Sequence, residues 1–202
     1  MASLLKTNSI SAATGTTVTI PSGTTLDIAS GATLDTTGAT VSGLTTGKVL
    51  QVVQAIKTDT QSFTSSTSFS DMVGLSVSIT PSSTSSKILV SFSVAGGTGN
   101  DQGHLMMQLL RDSTAIGLAD VASNRVRNTG IYFNTASGGG GQVLQNSFML
   151  LDSPSTTSSV TYKMQGKANS STAHVNRSDR DVDGTTYDGR CSSHITVMEI
   201  GA

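Results

Sequence analysis

The chain has 202 residues, of which only 12% are charged and 4% aromatic, with no Trp and a formal net charge of -1. The six Lys and six Arg are scattered, which excludes the clustered cations that phosphate neutralisation requires, and no apolar run approaches the ~20 residues that span a bilayer. A single cysteine, Cys191, excludes an intrachain disulfide framework and a cysteine zinc cluster.

Disorder would pair a high net charge with few β-branched residues. Here Val, Ile and Thr recur with a clear rhythm and favour pleated, half-buried surfaces, so the chain reads as all-β. Residues 1–10 hold one Lys and no apolar central region, which is not a secretory signal.

A repeat follows between residues 15 and 47: Gly15-TTVTIPS, Gly23-TTLDIAS, Gly31-ATLDTT, Gly38-ATVS and Gly43-LTT. Val18 and Ile20, then Leu26 and Ile28, then Leu34, set apolar side chains at a spacing of two between Gly-centred bends. So few apolar groups do not offset the ~1.5 kcal/mol that each ordered residue costs. Three copies around one axis would let each apolar stripe face two others and pair the strand edges between chains. The expectation is a trimeric β-spiral or β-prism stalk cored by Val18, Ile20, Leu26, Ile28 and Leu34; a flexible Gly/Ser/Thr linker shares this composition.

From Lys48 the strands lengthen. The pattern predicts strands at 48–57, 74–80, 87–95, 105–111, 131–133, 142–151, 159–165 and 194–200, several with visible alternation: Ile88, Val90, Phe92, Val94, or Val160, Tyr162, Met164. Turn-rich segments separate them, and no convincing helix intervenes. Residues 48–202 therefore read as an antiparallel jelly-roll sandwich.

The sharpest chemical signal is Asp179-Arg-Asp181-Val-Asp183-Gly184. Acids at positions 1, 3 and 5 with Gly at 6 match the first half of a calcium loop, but position 12 is Arg190 where a bidentate Glu belongs. Calcium at Asp179, Asp181 and Asp183 stands beside a plainer reading, a solvated loop in which Arg177, Arg180 and Arg190 offset the acids. No other cofactor is expected. His104, His174 and His194 lack a spacing that would bring them together, with His174 expected in a polar loop. Ser is too abundant for a Ser–His–Asp proposal to carry information, and Gly138–Gly141 is not followed by the Lys-Ser or Lys-Thr of a phosphate cradle. The chain is not expected to be an enzyme.

A binding surface would use exposed loop residues. Candidates are Asn100, Asp101, Asn124, Arg125, Arg127, Asn128, Tyr132, Asn169, His174, Asn176 and Tyr187. Foremost are Arg125, Asn128, Tyr132, Asn176 and Tyr187, which combine aromatic faces with hydrogen-bonding groups.

The opening MASLLKTNSISAATGTTVTI resembles the start of fibre-type virion proteins of marine phages. The phrases ITPSSTSSKILVSFSVA (79–95), LLRDST (109–114), MLLDSPSTTSSVTYKMQ (149–165) and ITVMEI (195–200) are similar to a trimeric C1q-like jelly-roll module that often caps phage tail fibres. The resemblance implies a homotrimer located in the virion. Residues 1–14 would dock on a tail or capsid protein, residues 15–47 would form the stalk, and the head, 48–202, would face solvent or a host surface polysaccharide. A tail fibre leads; a capsid head fibre or decoration protein is the alternative. Neither nucleic acid nor membrane is an expected partner.

Overall fold

The computed structural model describes residues 48–99, 103–133 and 140–201. The docking segment 1–14, the repeat 15–47 with its five core candidates, and Asn100 and Asp101 lie outside the described residues.

The strands are β1 (Val49–Lys57), β2 (Gln61–Phe63), β3 (Ser70–Ile79), β4 (Lys87–Thr98), β5 (His104–Arg111), β6 (Thr114–Ile116), β7 (Gly130–Phe133), β8 (Leu144–Asp152), β9 (Val160–Ala168), β10 (Ala173–Val175) and β11 (Ser193–Ile200). No helix occurs among the described residues, and none there is long and apolar enough to cross a membrane. Each of the eight expected strands has a counterpart. The three unexpected ones, β2, β6 and β10, are each three residues long, too short for an alternation to show in the sequence.

All strand pairings are antiparallel, in two sheets. In the first sheet β4 is flanked by β8 on one side, and by β11 and β10 end to end on the other. Beyond them β1 pairs with β11 and β2 with β10, so two columns of this sheet are each built from two collinear strands. In the second sheet β9 lies between β3 and β5, and the far edge of β5 carries β7 and β6 end to end. Pairs β1–β11, β3–β9, β4–β8 and β5–β6/β7 nest from the chain's outside inward. This nesting is that of a jelly-roll-like sandwich.

The core follows from strand alternation. Ile88, Val90, Phe92, Val94, Ile195 and Val197 of the first sheet face Leu75, Val77, Ile79, Leu105, Met107, Leu109, Tyr162 and Met164 of the second. Each such burial contributes about 1.5–3 kcal/mol. β4 runs past its expected end at Ala95 to Thr98, because both its edges stay paired there: Gly96 with Leu144 of β8 and with Val175 of β10.

The sandwich has two distinct ends. At one, Val49 pairs with Ile200 and Gly201 N–H donates to Lys48 O at 2.8 Å. The carboxylate of Glu199 is fully buried near this end and accepts from Gln51 Nε2 (2.6 Å), Ser82 N–H (2.7 Å) and Ser82 Oγ (2.7 Å). At the other end lie β2, β10 and the long excursion 176–192 that separates β10 from β11.

Candidate functional site

The excursion begins at Asn176, whose left-handed φ of 64° turns the chain out of β10. Asn is among the non-glycine residues that occupy this region most readily. Two glycines, Gly97 of β4 and Gly99 just beyond it, make room for the start of the excursion. A Cβ at Gly97 would stand 2.5 Å from Arg177 O, and one at Gly99 2.5 Å from Asp179 Oδ2. Only hydrogen fits where residues 177–179 cross the sheet.

His174, expected in a loop, is the middle residue of β10 and is buried. Its Nε2 lies 2.7 Å from Asp179 Oδ1 and its Nδ1 2.9 Å from the hydroxyl of its cross-strand partner Ser62. Burial pushes its pKa down, against the opposing pull of the Asp179 carboxylate. Nucleophile, base and acid stand in this order in hydrolases. Here the order joins the excursion to the edge strand β2, and the Arg177 guanidinium sits 3.5 Å from the same Ser62 hydroxyl.

Asp188 is the hub of the excursion. Its side chain is fully buried and accepts from Ser178 Oγ (2.9 Å), Val182 N–H (3.1 Å) and, bidentately, Arg180 (2.8 and 3.1 Å). The Arg180 guanidinium foremost holds this carboxyl down to about 2. Asp181 takes a second bidentate pair, from Arg190 (2.8 and 3.1 Å), with Arg177 at 3.5 Å.

These contacts correct the calcium expectation. Asp179 serves His174, Asp181 serves two arginines, and Asp183 points to solvent. The three acids do not converge, and among the described residues no group of three or more His, Cys, Asp or Glu is placed to hold a metal ion. Arginines here do the neutralising that a cation would have done. The sequence signal that pointed to this outcome was Arg190 at position 12, together with Arg177 just before the acids and Arg180 between the first two.

The excursion encloses a cleft of about 420 Å3 lined by Asp181, Asp183, Gly184, Thr185, Tyr187 and Arg190, with Val182, Asp188 and Gly189. Tyr187 is 67% exposed, and the Arg180 guanidinium lies 5.2 Å from its ring centre. The other foremost surface candidates fall elsewhere. Arg125 and Asn128 belong to the 117–129 loop between β6 and β7, Arg125 exposed and Asn128 half-buried. Tyr132 and Asn176 correct the expectation of exposure. Tyr132 points inward from β7 against Gly96, and Asn176 is sealed between the two sheet columns, so neither presents a contact surface. Polar residue type alone suggested exposure; strand alternation and a buried turn overrode it.

A second surface feature is the outer face of the first sheet. Its cross-strand rows read Val52–Met198–Leu89–Leu151, Gln54–Thr196–Ser91–Met149 and Ile56–His194–Ser93–Ser147. These three rows contain no Asp, Glu, Lys or Arg, the next row carrying Lys87 opposite Ile200, and Val52, Ile56, Met149 and Leu151 are each more than half exposed. The outer face of the second sheet is different: Lys163 pairs with Asp71 at 2.9 Å, Gln165 bonds Asp71 and Gln108, and Lys167 lies over Phe69.

No family model matches the chain, and no curated protein matches it. Among solved structures, that of the infectious bursal disease virus Gx strain is similar at a TM-score of 0.39 and 9% identity, covering 74% of this chain and 41% of that one. The chain thus spans less than half the length of that neighbour. The fold by itself defines a class: an all-β, antiparallel, jelly-roll-like sandwich protein with one sparsely charged sheet face and one arginine-laced loop at its end.

Proposed function

We propose that the chain is a homotrimeric structural protein of a phage particle, a fibre whose head, residues 48–202, meets the host surface, with residues 15–47 as stalk and 1–14 docked to a tail or capsid protein. The observation that carries this reading is the outer face of the first sheet, where Val52, Ile56, Met149 and Leu151 stand more than half exposed in three adjacent rows without a charged residue. A solvated sheet face is ordinarily polar, as that of the second sheet is here; large exposed apolar side chains gathered on one face mark an interaction site. Its occupants are two further copies of the same chain. The edge strand β1, which supplies Val52 and Ile56, follows directly on a repeat whose apolar rhythm also calls for identical neighbours. Three copies would bring three heads to one surface, so weak contacts gain from high effective concentration. The alternative, a capsid head fibre or decoration protein, shares the trimer and differs in where the particle carries it.

Sedimentation of the full chain tests the assembly: three times 20.6 kDa is expected, and a folded monomer overturns it. Replacing Val52 and Leu151 together by Lys should lower the dissociation temperature without loss of β-sheet signal in circular dichroism; an unchanged transition would remove this face from the interface. Saturating free chain should block adsorption of the particles, and undiminished adsorption would overturn the host contact.

A further inference from the structure

We infer that the cleft walled by residues 181–190 is a binding site for a neutral saccharide ring. The inference rests on the host-contact reading above and gives that contact a place and a ligand class.

Position comes first. The 176–192 excursion leaves the first sheet beside Lys57 and Ala95, at the end remote from Val49, where the chain enters the sandwich.

The lining then sets the chemistry. Sugar rings offer a C–H face, which packs on aromatic rings, and a rim of hydroxyls, which bonds to carboxylates and backbone groups. Tyr187 supplies an exposed ring, held in place by the Arg180 guanidinium on it. Asp183 supplies an exposed carboxylate, and Thr185 a hydroxyl. A Cβ at Gly184 or Gly189 would meet nothing within 4 Å, so a ligand can approach the backbone at both positions. The volume, about 420 Å3, falls within the roughly 300–1,000 Å3 of small-molecule clefts.

Charge decides between neutral and acidic sugars. Arg180 is committed to Asp188, and Arg190 and Arg177 to Asp181. Asp183 has no such arginine. An acidic saccharide would find its matching cations already paired and a lone carboxylate facing it. A neutral ring meets no such repulsion.

Rigidity makes a shallow site usable. Asp188, buried with four donors on it, and Asn176, bonded on every polar group, fix the excursion before any ligand arrives, so little ordering is left for binding to supply.

The test is saturation-transfer NMR on the full chain, with methyl glycosides of neutral hexoses and N-acetylhexosamines beside sialic and hexuronic acids. We expect transfer to at least one neutral glycoside, reduced tenfold or more in Tyr187→Ala, weakened in Asp183→Asn, and unchanged in Arg125→Ala on the other loop. Sedimentation and circular dichroism confirm that each variant is assembled and folded; Gly184→Trp, which fills the cleft from a position with open space, gives an independent route to the same loss. Transfer to no glycoside, transfer to the acids alone, or transfer indifferent to Tyr187→Ala and Gly184→Trp overturns the inference. Free chain that blocks adsorption equally with and without these substitutions leaves the host contact standing and the cleft refuted. Glycoside binding at Tyr187 without any block of adsorption does the reverse.

Discussion

Ser193 Oγ donates to Asn176 Oδ1 at 2.6 Å, across the point where β10 ends and β11 begins. The same hydroxyl accepts from Ala95 N–H at 3.0 Å, and the Asn176 amide donates to Lys57 O and Asp59 O, each at 2.9 Å. The main chain of Asn176 adds two more bonds: its N–H to Ala95 O and its C=O from Cys191 N–H. Two broken columns of the first sheet are thereby joined through one fully buried side chain. Replacement of Asn176 by Ala should cost about 2–4 kcal/mol, since buried carbonyls left without donors cost ~1–3 kcal/mol. Asn176→Asp keeps the shape but loses the donors, and should cost as much at neutral pH. Urea denaturation of both variants checks this; a near-neutral Asn176→Asp would show that shape, not donation, is what matters.

Glu199 makes stability fall in acid. Burial works to raise its pKa, but the donors Gln51 and Ser82 outweigh burial and hold it down to about 2. An unfolded chain takes up that proton near the ordinary value of about 4.3. The unfolded state therefore binds more protons between these values, and the stabilisation present above about 4.3 is lost as the pH falls towards 2. Thermal melts of the wild type from pH 6 to pH 2 should drop more steeply than those of Glu199→Gln. Asp188, also depressed, should remain as a shared background slope in both.

His174 has the opposite chemistry and the same direction. Its folded pKa lies below the ordinary histidine value because burial disfavours the cation. Stability is complete above the unfolded value of about 6.5 and declines as the pH falls through the lower folded value. His174→Gln should remove that part of the decline. Hydrogen exchange of residues 177–182 should accelerate in Asp179→Ala, while the amides of β4 and β9 stay protected. Because Ser62 serves here as a tether, a serine-directed fluorophosphonate should leave it unmodified; stoichiometric labelling at Ser62 would show a nucleophile instead.

Tyr162 is buried in the core with its hydroxyl donating to Asp152 Oδ2 at 2.6 Å, and Arg111 pairs with the same carboxylate at 3.0 Å. Burial foremost, then the Asp152 carboxylate, pushes the phenol's pKa up. Tyr162→Phe should cost about 1–3 kcal/mol by leaving a partly buried acceptor short of one donor. In Asp152→Asn the further cost of Tyr162→Phe should shrink. Additive costs in that double-mutant cycle would mean that the two side chains act independently.

How much of this was legible in the residues differs between the sandwich and its terminal loop. The eight longer strands showed themselves because alternation such as Ile88, Val90, Phe92, Val94 obeys a local rule: a two-residue period puts every apolar group on one face. The all-β class and the core of residues 48–202 follow from that period. β2, β6 and β10 are defined by their cross-strand partners, Gln61 by Val175 and Ile116 by Leu109, and three residues carry no period. His174 was misplaced for that reason.

The Asp179–Asp183 spacing was plain in the chain, but the use of those acids was not. Spacing along a chain says which groups are near in sequence, while a metal site needs their oxygens to converge. In the folded loop Arg180 turns to Asp188 and Arg190 to Asp181, choices made by backbone turns at Asn176, Asp181 and Asp188, where φ is positive. Local periodicity, a property of neighbouring residues, settled the strands and the class of fold. Which polar groups are buried, which pair, and which apolar side chains are left exposed on a sheet face depend on contacts between residues far apart in the chain, and those exist only once the sheets have closed.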